Sequence, residues 1–283
     1  MDKVIVIDWS IFVFRSIFSW RNNKAVPPEY TCLNMLLASL RRIGLNPYDT
    51  VILACDGRGN WRKDYEKEYK ATRKAFRESF TDINWENMFK KFDNLLEQLE
   101  VGTDFHQIKL DTIEADDIAS VCCRYEPFKD KEIILVSYDS DWQMLMHYSN
   151  VKVFSPLLKY KSTKGSYKIK PPNFNAYKLL SKKIEKEKAD DLINPILSEK
   201  DYETRKLIVN LLELPDFVEQ PIREELAKLE PKTGDLDELP FQTSLRPKIE
   251  QLYDDKSKVL TYKMCQEYQI KKEARKKKRR KKK

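Results

Sequence analysis

Short Val/Ile-rich runs alternate with amphipathic stretches over the first 155 residues, and that alternation predicts the architecture. Residues 3–8 (KVIVID) read as a buried strand. Residues 31–43 (TCLNMLLASLRRI) have helical apolar spacing and run into Gly44, the residue favoured just past a helix end. A second strand is expected at 50–56. Residues 84–100 repeat apolar side chains at 85, 88, 89, 92, 95, 96 and 99, which is a helical pattern. A short strand at 104–110 follows, then a helix at about 114–125 and a strand at 132–138. A short helix from Asp141 to His147 and a strand at 151–155 complete the series. Residues 9–30 receive no element. Strands alternating with helices imply parallel pairing and a three-layer α/β sandwich.

Beyond Pro171 and Pro172 the pattern changes. Residues 174–184, 202–213 and 221–229 read as helices, and no strand is evident. Residues 230–247 contain Pro231, Gly234, Pro240 and Pro247 and are expected to be an irregular loop. Residues 248–268 predict a last helix. The organisation expected is a catalytic domain over 1–165, a smaller helical region over 166–270 and a disordered tail over 271–283.

Charge sharpens this picture. The chain has 283 residues and a net charge of +8, but the last thirteen, KKEARKKKRRKKK, carry eleven basic residues and one acidic one. The remaining 270 have 42 basic and 44 acidic residues, a net of −2. The basicity is thus a terminal block, suited to phosphate backbones, to a localisation signal or simply to a solvated end. No run approaches the ~18 apolar residues of a membrane span, and MDKVIVIDWS lacks the basic region followed by a longer apolar run that marks a signal peptide. A cytoplasmic protein without membrane contact is expected. Cysteines 32, 55, 122, 123 and 265 lack metal-ligand spacing and are expected to be reduced and buried.

The candidate chemistry lies in acidic residues at strand ends. Asp8 closes the first strand and Asp56 the second. Glu114, Asp116 and Asp117 open a helix, Asp139 and Asp141 follow the fourth strand, and Glu187 and Asp190 form a weaker group. In an open α/β sheet ligands bind outside the carboxyl ends of the strands. Carboxylates gathered there repel unless cations neutralise them, and oxygen-only ligands suit Mg²⁺ or Mn²⁺. Helix capping is the competing explanation for any one of them. Residues 57–83 interleave Arg58, Arg62, Lys63, Lys67, Lys70, Arg73, Lys74 and Arg77 with Trp61, Tyr65, Tyr69, Phe76 and Phe80. Cations with aromatics suit single-stranded nucleic acid, although a solvated basic helix would look similar. The chain has two histidines, His106 and His147, neither with an evident catalytic partner, so a Ser-His-Asp mechanism has little support. A P-loop is absent, and Asp8-Trp9-Ser10 lacks the D-x-D of haloacid-dehalogenase-type phosphatases.

The ordered segments VIVIDWS, VILACDGRGNWRKDYEKEYKATR, IEADDIA, VSYDSDWQML and NVKVFSP resemble the flap endonuclease (5′–3′ exonuclease) family of structure-specific 5′-nucleases, especially its phage members. The resemblance covers about residues 1–160. It implies an α/β, three-layer PIN-like domain with a mainly parallel sheet, a helical arch near 57–83 and a smaller helical C-terminal region. It implies a metal-dependent 5′–3′ exonuclease and flap endonuclease, acting on DNA or on RNA primers annealed to DNA, as in primer removal during phage replication. Partners implied are DNA or RNA–DNA hybrid with a free 5′ end, flap or nick, and a single-stranded DNA-binding protein and sliding clamp. A monomer in the host cytoplasm is expected.

By the same resemblance Asp8, Asp56, Asp117 and Asp139 surround a first metal, with Glu114 and Asp116 in support. Asp141 belongs to a second metal, completed by Glu187 and Asp190, or by Asp191 if the register shifts. Two ions are expected. The family's G-D-x-x-D is here E-x-x-D, and its glycine-rich helix–hairpin–helix signature is absent. That departure keeps open a second reading, a nucleic-acid-binding relative with weakened catalysis. Lys70 and Arg73 resemble residues touching the scissile phosphate and Tyr69 a residue stacking on the terminal base. Arg58, Arg62, Lys63, Lys67, Lys74 and Arg77 are expected to hold nucleic acid.

Overall fold

The computed structural model describes residues 2–156, 166–185, 198–254 and 262–280. The chain runs β1 (Lys3–Asp8), α1 (Trp9–Asn22), α2 (Pro28–Ile43), β2 (Thr50–Cys55), α3 (Ala71–Glu78), α4 (Trp85–Gly102), β3 (His106–Lys109), α5 (Ala115–Arg124), β4 (Glu132–Val136), β5 (Val151–Ser155) and β6 (Ser166–Tyr167). Then come α6 (Ala176–Ile184), α7 (Glu199–Val209), α8 (Asp216–Ala227), α9 (Gln242–Asp254) and α10 (Tyr262–Arg280). The sheet order is β3-β2-β1-β4-β5-β6, parallel except for the antiparallel β6. From β1 the chain builds outward through β2 and β3, then returns with β4 on β1's other side. The strand order therefore reverses at β1/β4, the switch point where such sheets bind ligands.

Both sheet faces are covered, which is why the strands are continuously apolar. Ile5 and Ile7 pack toward α1, α2, α4 and α9, with Leu33, Leu36, Leu96 and Ile249 in one core. Val4 and Val6 face the opposite way, onto Ile118 and Val121 of α5, Leu180 of α6 and Ile222 of α8. The C-terminal helices thus extend the two cores of the sheet. All five cysteines are buried and unpaired. Among the described residues no helix is long and apolar enough to cross a membrane.

Several elements depart from expectation. Helix α1 occupies residues assigned no element: WSIFVFRSIFSW is so densely aromatic and β-branched that its helical period is obscured. The segment Asp141–His147 is a 3₁₀ turn. Helix α8 begins at Asp216, ahead of the expected start at 221, and carries Pro221 inside it. The expected loop over 230–247 holds the start of α9, with Pro247 inside the helix. Helix α10 continues to Arg280, into the segment expected to be disordered. Lysine and arginine are good helix formers, so a helix anchored through buried Cys265 can extend through a basic run.

Candidate metal centre and phosphate clamp

Asp8 is the last residue of β1 and the N-cap of α1, yet its side chain makes no capping bond. Its Oδ2 instead accepts from Ser137 Oγ at 3.1 Å, across the β1/β4 switch point. Capping therefore fails to explain the residue that sits deepest in the site, at 6% exposure.

Asp56 is placed by a close approach of two loops. A Cβ on Gly57 would stand 1.7 Å from the Leu110 carbonyl oxygen, so only glycine fits. The Gly57 N–H donates to the Ile113 carbonyl at 2.8 Å, and the Trp61 N–H to the Thr112 carbonyl at 3.1 Å. This zipper draws the N-terminus of α5 to the end of β2. Asp56 Oδ1 accepts from the Ala115 N–H at 2.9 Å and Oδ2 from Ser10 Oγ at 2.6 Å.

Helix α5 divides its two acids. Asp116 turns to the sheet edge, where Oδ1 accepts from Trp142 Nε1 at 2.6 Å. Burial, with Glu114 and Asp139 nearby, pushes its carboxyl up to about 6 against the pull of Lys70. Burial also raises Asp8 well above the usual carboxylate range, reinforced by Asp116, Asp56 and Asp139. Asp8, Asp56, Asp116 and Asp139 thus share one field at the carboxyl edge. Asp139 stands just past β4, its N–H donating to Ser137 Oγ at 3.0 Å.

Asp117 corrects the expectation. It points away from this group into a fully buried ion pair, with Arg62 Nη2 at 2.6 Å from Oδ1 and Arg62 Nη1 at 3.0 Å from Oδ2. Trp61 Nε1 and the Glu114 N–H complete its shell at 3.1 and 3.0 Å. Fully buried and accepting four hydrogen bonds, Asp117 is a structural carboxylate. Consecutive helix residues diverge by about 100°, so 116 and 117 cannot both face one site.

Two clamp assignments change with it. Arg62 is 1% exposed, committed to Asp117, to Glu114 Oε2 at 2.9 Å and to the Ile208 carbonyl at 2.8 Å, so it is no phosphate contact. Tyr69 is 5% exposed; its hydroxyl donates to Glu114 Oε2 at 3.1 Å and its ring packs on Ile208, which rules out base stacking as it stands. Glu114 in turn binds Lys70 Nζ at 2.5 Å. Against burial, Lys70 and Arg62 hold the Glu114 carboxyl down to about 2. Its place is under the clamp, one step removed from the acidic edge.

Lys70 has φ 57°, ψ 20°, a left-handed conformation just before α3 that aims its side chain inward while the helix rises outward. Burial opposes the charge on its ammonium, and Glu114 more than offsets that. Helix α3 has no buried residue. Arg73 and Lys74 lie exposed on it, Arg77 is half-buried at its end, and Arg58, Lys63 and Lys67 are exposed before it. Phe76 and Tyr65 are exposed aromatics of this segment; Phe76 packs edge-on to Phe80 and tilted against Phe18. Between α1 and the end of β4 lies a cavity of about 530 Å³ lined by Phe14, Arg15, Phe18, Met35 and Tyr138. Tyr138 and Trp142 were not singled out from sequence, although both flank the aspartates in the quoted segment VSYDSDWQML.

Asp141 is bound by the Lys183 ammonium of α6. Glu187, Asp190 and Asp191 lie outside the described residues. Among the described residues no three acidic, cysteine or histidine side chains stand close enough together to form a ready-made metal-ligand set. The donor chemistry nevertheless fits a hard divalent cation: four carboxylates offering oxygen alone.

The sequence comparison decides the family. Residues 3–176, more than half of the chain, match the family described as "5′-3′ exonuclease, N-terminal resolvase-like domain". The chain belongs to this 5′–3′ exonuclease family. A relative within reach of sequence is the ribonuclease H of Enterobacteria phage T4, 29% identical over 133 residues, 46% of this chain and 43% of that protein. The chain thus spans less than half the length of that curated relative. Among solved structures, a phage T5 protein co-crystallised with metal ions superposes with a TM-score of 0.59 at 15% identity, covering 80% of this chain and 99% of that one. A phage T5 flap endonuclease variant, in a pseudo-enzyme–product complex with DNA and metal ions, gives 0.55 at 18% identity and 89% coverage of each chain. These likenesses show that the 5′–3′ exonuclease chain has the PIN-like 5′-nuclease fold, an α/β architecture with a mostly parallel sheet.

Proposed function

We propose that this protein is a divalent-metal-dependent 5′–3′ exonuclease and flap endonuclease, hydrolysing phosphodiesters of DNA or of RNA primers annealed to DNA. The carrying observation is geometric: Asp8 bonds Ser137, Asp56 bonds Ser10 and the Ala115 N–H, Asp116 bonds Trp142 and Asp139 bonds the Asp141 N–H, which gathers four carboxylates around the β1/β4 switch point with Lys70 beside them. These four carboxylates would hold Mg²⁺ or Mn²⁺. Such an ion, when bound, polarises a phosphoryl oxygen and lowers the pKa of a water.

The remaining work falls to the chain's own groups. Glu114 fixes the Lys70 ammonium, and Tyr69 and Arg62 fix Glu114. Lys70 is thereby a pre-oriented donor for a phosphate oxygen as charge builds on it, with no reorganisation at the moment of reaction. Arg73, Lys74 and the exposed cations of residues 58–67 would track the strand's backbone. Phe76 and Tyr138, rather than Tyr69, offer exposed rings on which bases could stack.

The test is cleavage of a 5′-labelled flap or nicked duplex with and without Mg²⁺. Short 5′ products that vanish in Asp116→Asn and Asp139→Asn support the proposal. Metal-independent binding without cleavage would favour the weakened-relative reading instead.

A further inference from the structure

Asp141 opens the 3₁₀ turn after β4, and its N–H donates to Asp139 Oδ1 at 2.9 Å. The next residue, Trp142, donates to Asp116. The turn therefore touches the acidic group at two points. The Asp141 carboxylate itself is in direct ion-pair contact with the Lys183 ammonium, the two side chains 22% and 29% exposed. The fold delivers this lysine: Leu180 and Ile184 of α6 lie in the same buried core as Trp142, Met144 and Leu145 of the turn.

We propose that Lys183 is a built-in counter-ion for Asp141 that competes with a second divalent cation at the edge of the site. An ion that needs Asp141 is thereby held more weakly than it would be without this ammonium. This rests on the metal-dependent reading above. A second ion that takes Asp141 as ligand must first displace the ammonium, whereas Asp8, Asp56, Asp116 and Asp139 stay available to the first. Lys70 paired with Glu114 and Lys183 paired with Asp141 set fixed positive charge on two sides of the group. An ammonium lacks Lewis acidity, so its effect falls on ion occupancy and not on the chemistry of a bound ion.

The test is Mn²⁺ titration of the full chain, free ion counted by electron paramagnetic resonance, for the unchanged protein, Lys183→Met and Lys182→Met. Lys182 is the exposed neighbour on α6 and carries the same charge. First-ion affinity should agree within about twofold in all three. Second-ion affinity should tighten about tenfold in Lys183→Met, the scale of losing one opposed charge at contact in a partly wet site, and stay unchanged in Lys182→Met. Adding Asp141→Asn to Lys183→Met should abolish the gain. Melting curves without metal verify folding, with Lys183→Gln as the substitute if methionine is not tolerated. Equal second-ion affinities in the three proteins would overturn the proposal, and so would equal tightening in both lysine variants, which signals a long-range field. Absence of even the first ion in the unchanged protein would bring down the metal-dependent reading itself.

Discussion

Replacing Arg62 with leucine should cost about 3–5 kcal/mol of stability, the range for removing one partner of a buried ion pair. The guanidinium makes three bonds to carboxylate oxygens of Glu114 and Asp117, between 2.6 and 3.0 Å, and its Nε donates to the Ile208 carbonyl at 2.8 Å. Leucine preserves apolar bulk beside Trp61 and Tyr69. It leaves Asp117, at 0% exposure, as an uncompensated charge, and Glu114 with Lys70 as its remaining charged partner beside the Tyr69 hydroxyl. Converted at about 2–4 °C per kcal/mol for a chain of this size class, the midpoint should fall by roughly 10 °C. The double variant Arg62→Leu/Asp117→Leu should recover part of the loss, because no orphan charge remains. Urea denaturation at pH 7 without divalent ions measures all three. A single-variant loss below about 1 kcal/mol, or strict additivity in the double variant, would refute the buried-pair account. Because Arg62 is covered, the folded variant should bind a single-stranded oligonucleotide as the unchanged protein does. Weakened binding at unchanged stability would restore Arg62 as a phosphate contact.

The neighbouring acids should separate cleanly. Asp116→Asn should abolish Mg²⁺-dependent cleavage with a near-normal urea midpoint, whereas Asp117→Asn should lower the midpoint; the reverse pattern would exchange their roles. Lys70→Ala should slow cleavage about 100-fold, as for loss of one preorganised donor, with oligonucleotide affinity changed far less; a single-turnover rate near that of the unchanged protein would count against it. In acid, Glu114 supplies stability that is complete above its unfolded value of 4.5 and is lost as pH falls toward about 2. Glu114→Gln should therefore flatten the stability profile between pH 4.5 and 2; an unchanged acid slope would count against the pairing with Lys70 and Arg62.

The fold was legible wherever one residue class dominated a segment. Val4 to Ile7 are buried on both faces, and a doubly covered strand has no polar alternation to disguise it. Helix α4 was equally plain, because Met88, Phe92, Leu95 and Leu99 bury one stripe while charged residues face water. Helix α1 lacked that contrast: Phe14 and Phe18 lie outside its buried set and line a cavity, so apolar residues surround much of its circumference. The boundaries near Pro221 and Pro247 fell elsewhere for a different reason. A proline signals a helix edge through local sterics, yet both sit inside helices whose other residues pack onto the sheet cores.

The site shows where sequence spacing stops being informative. Asp8, Asp56 and Asp139 could be located because a strand end fixes position along the sheet, and the β1/β4 reversal makes those ends neighbours. Asp116 and Asp117 could not be ranked, since both occupy the first turn of one helix and the rotation of α5 about its axis is set by tertiary contacts. What turns α5 is the pairing of Asp117 with Arg62, fifty-five residues earlier. Arg62 in turn was misread because charge in a basic run looks solvated until a buried partner is known. One interaction thus accounts for both errors. Asp117 turns from the acidic edge because Arg62 is buried against it, and that mutual burial is what leaves Asp116 facing the acidic edge and Glu114 positioned to hold Lys70 beside it.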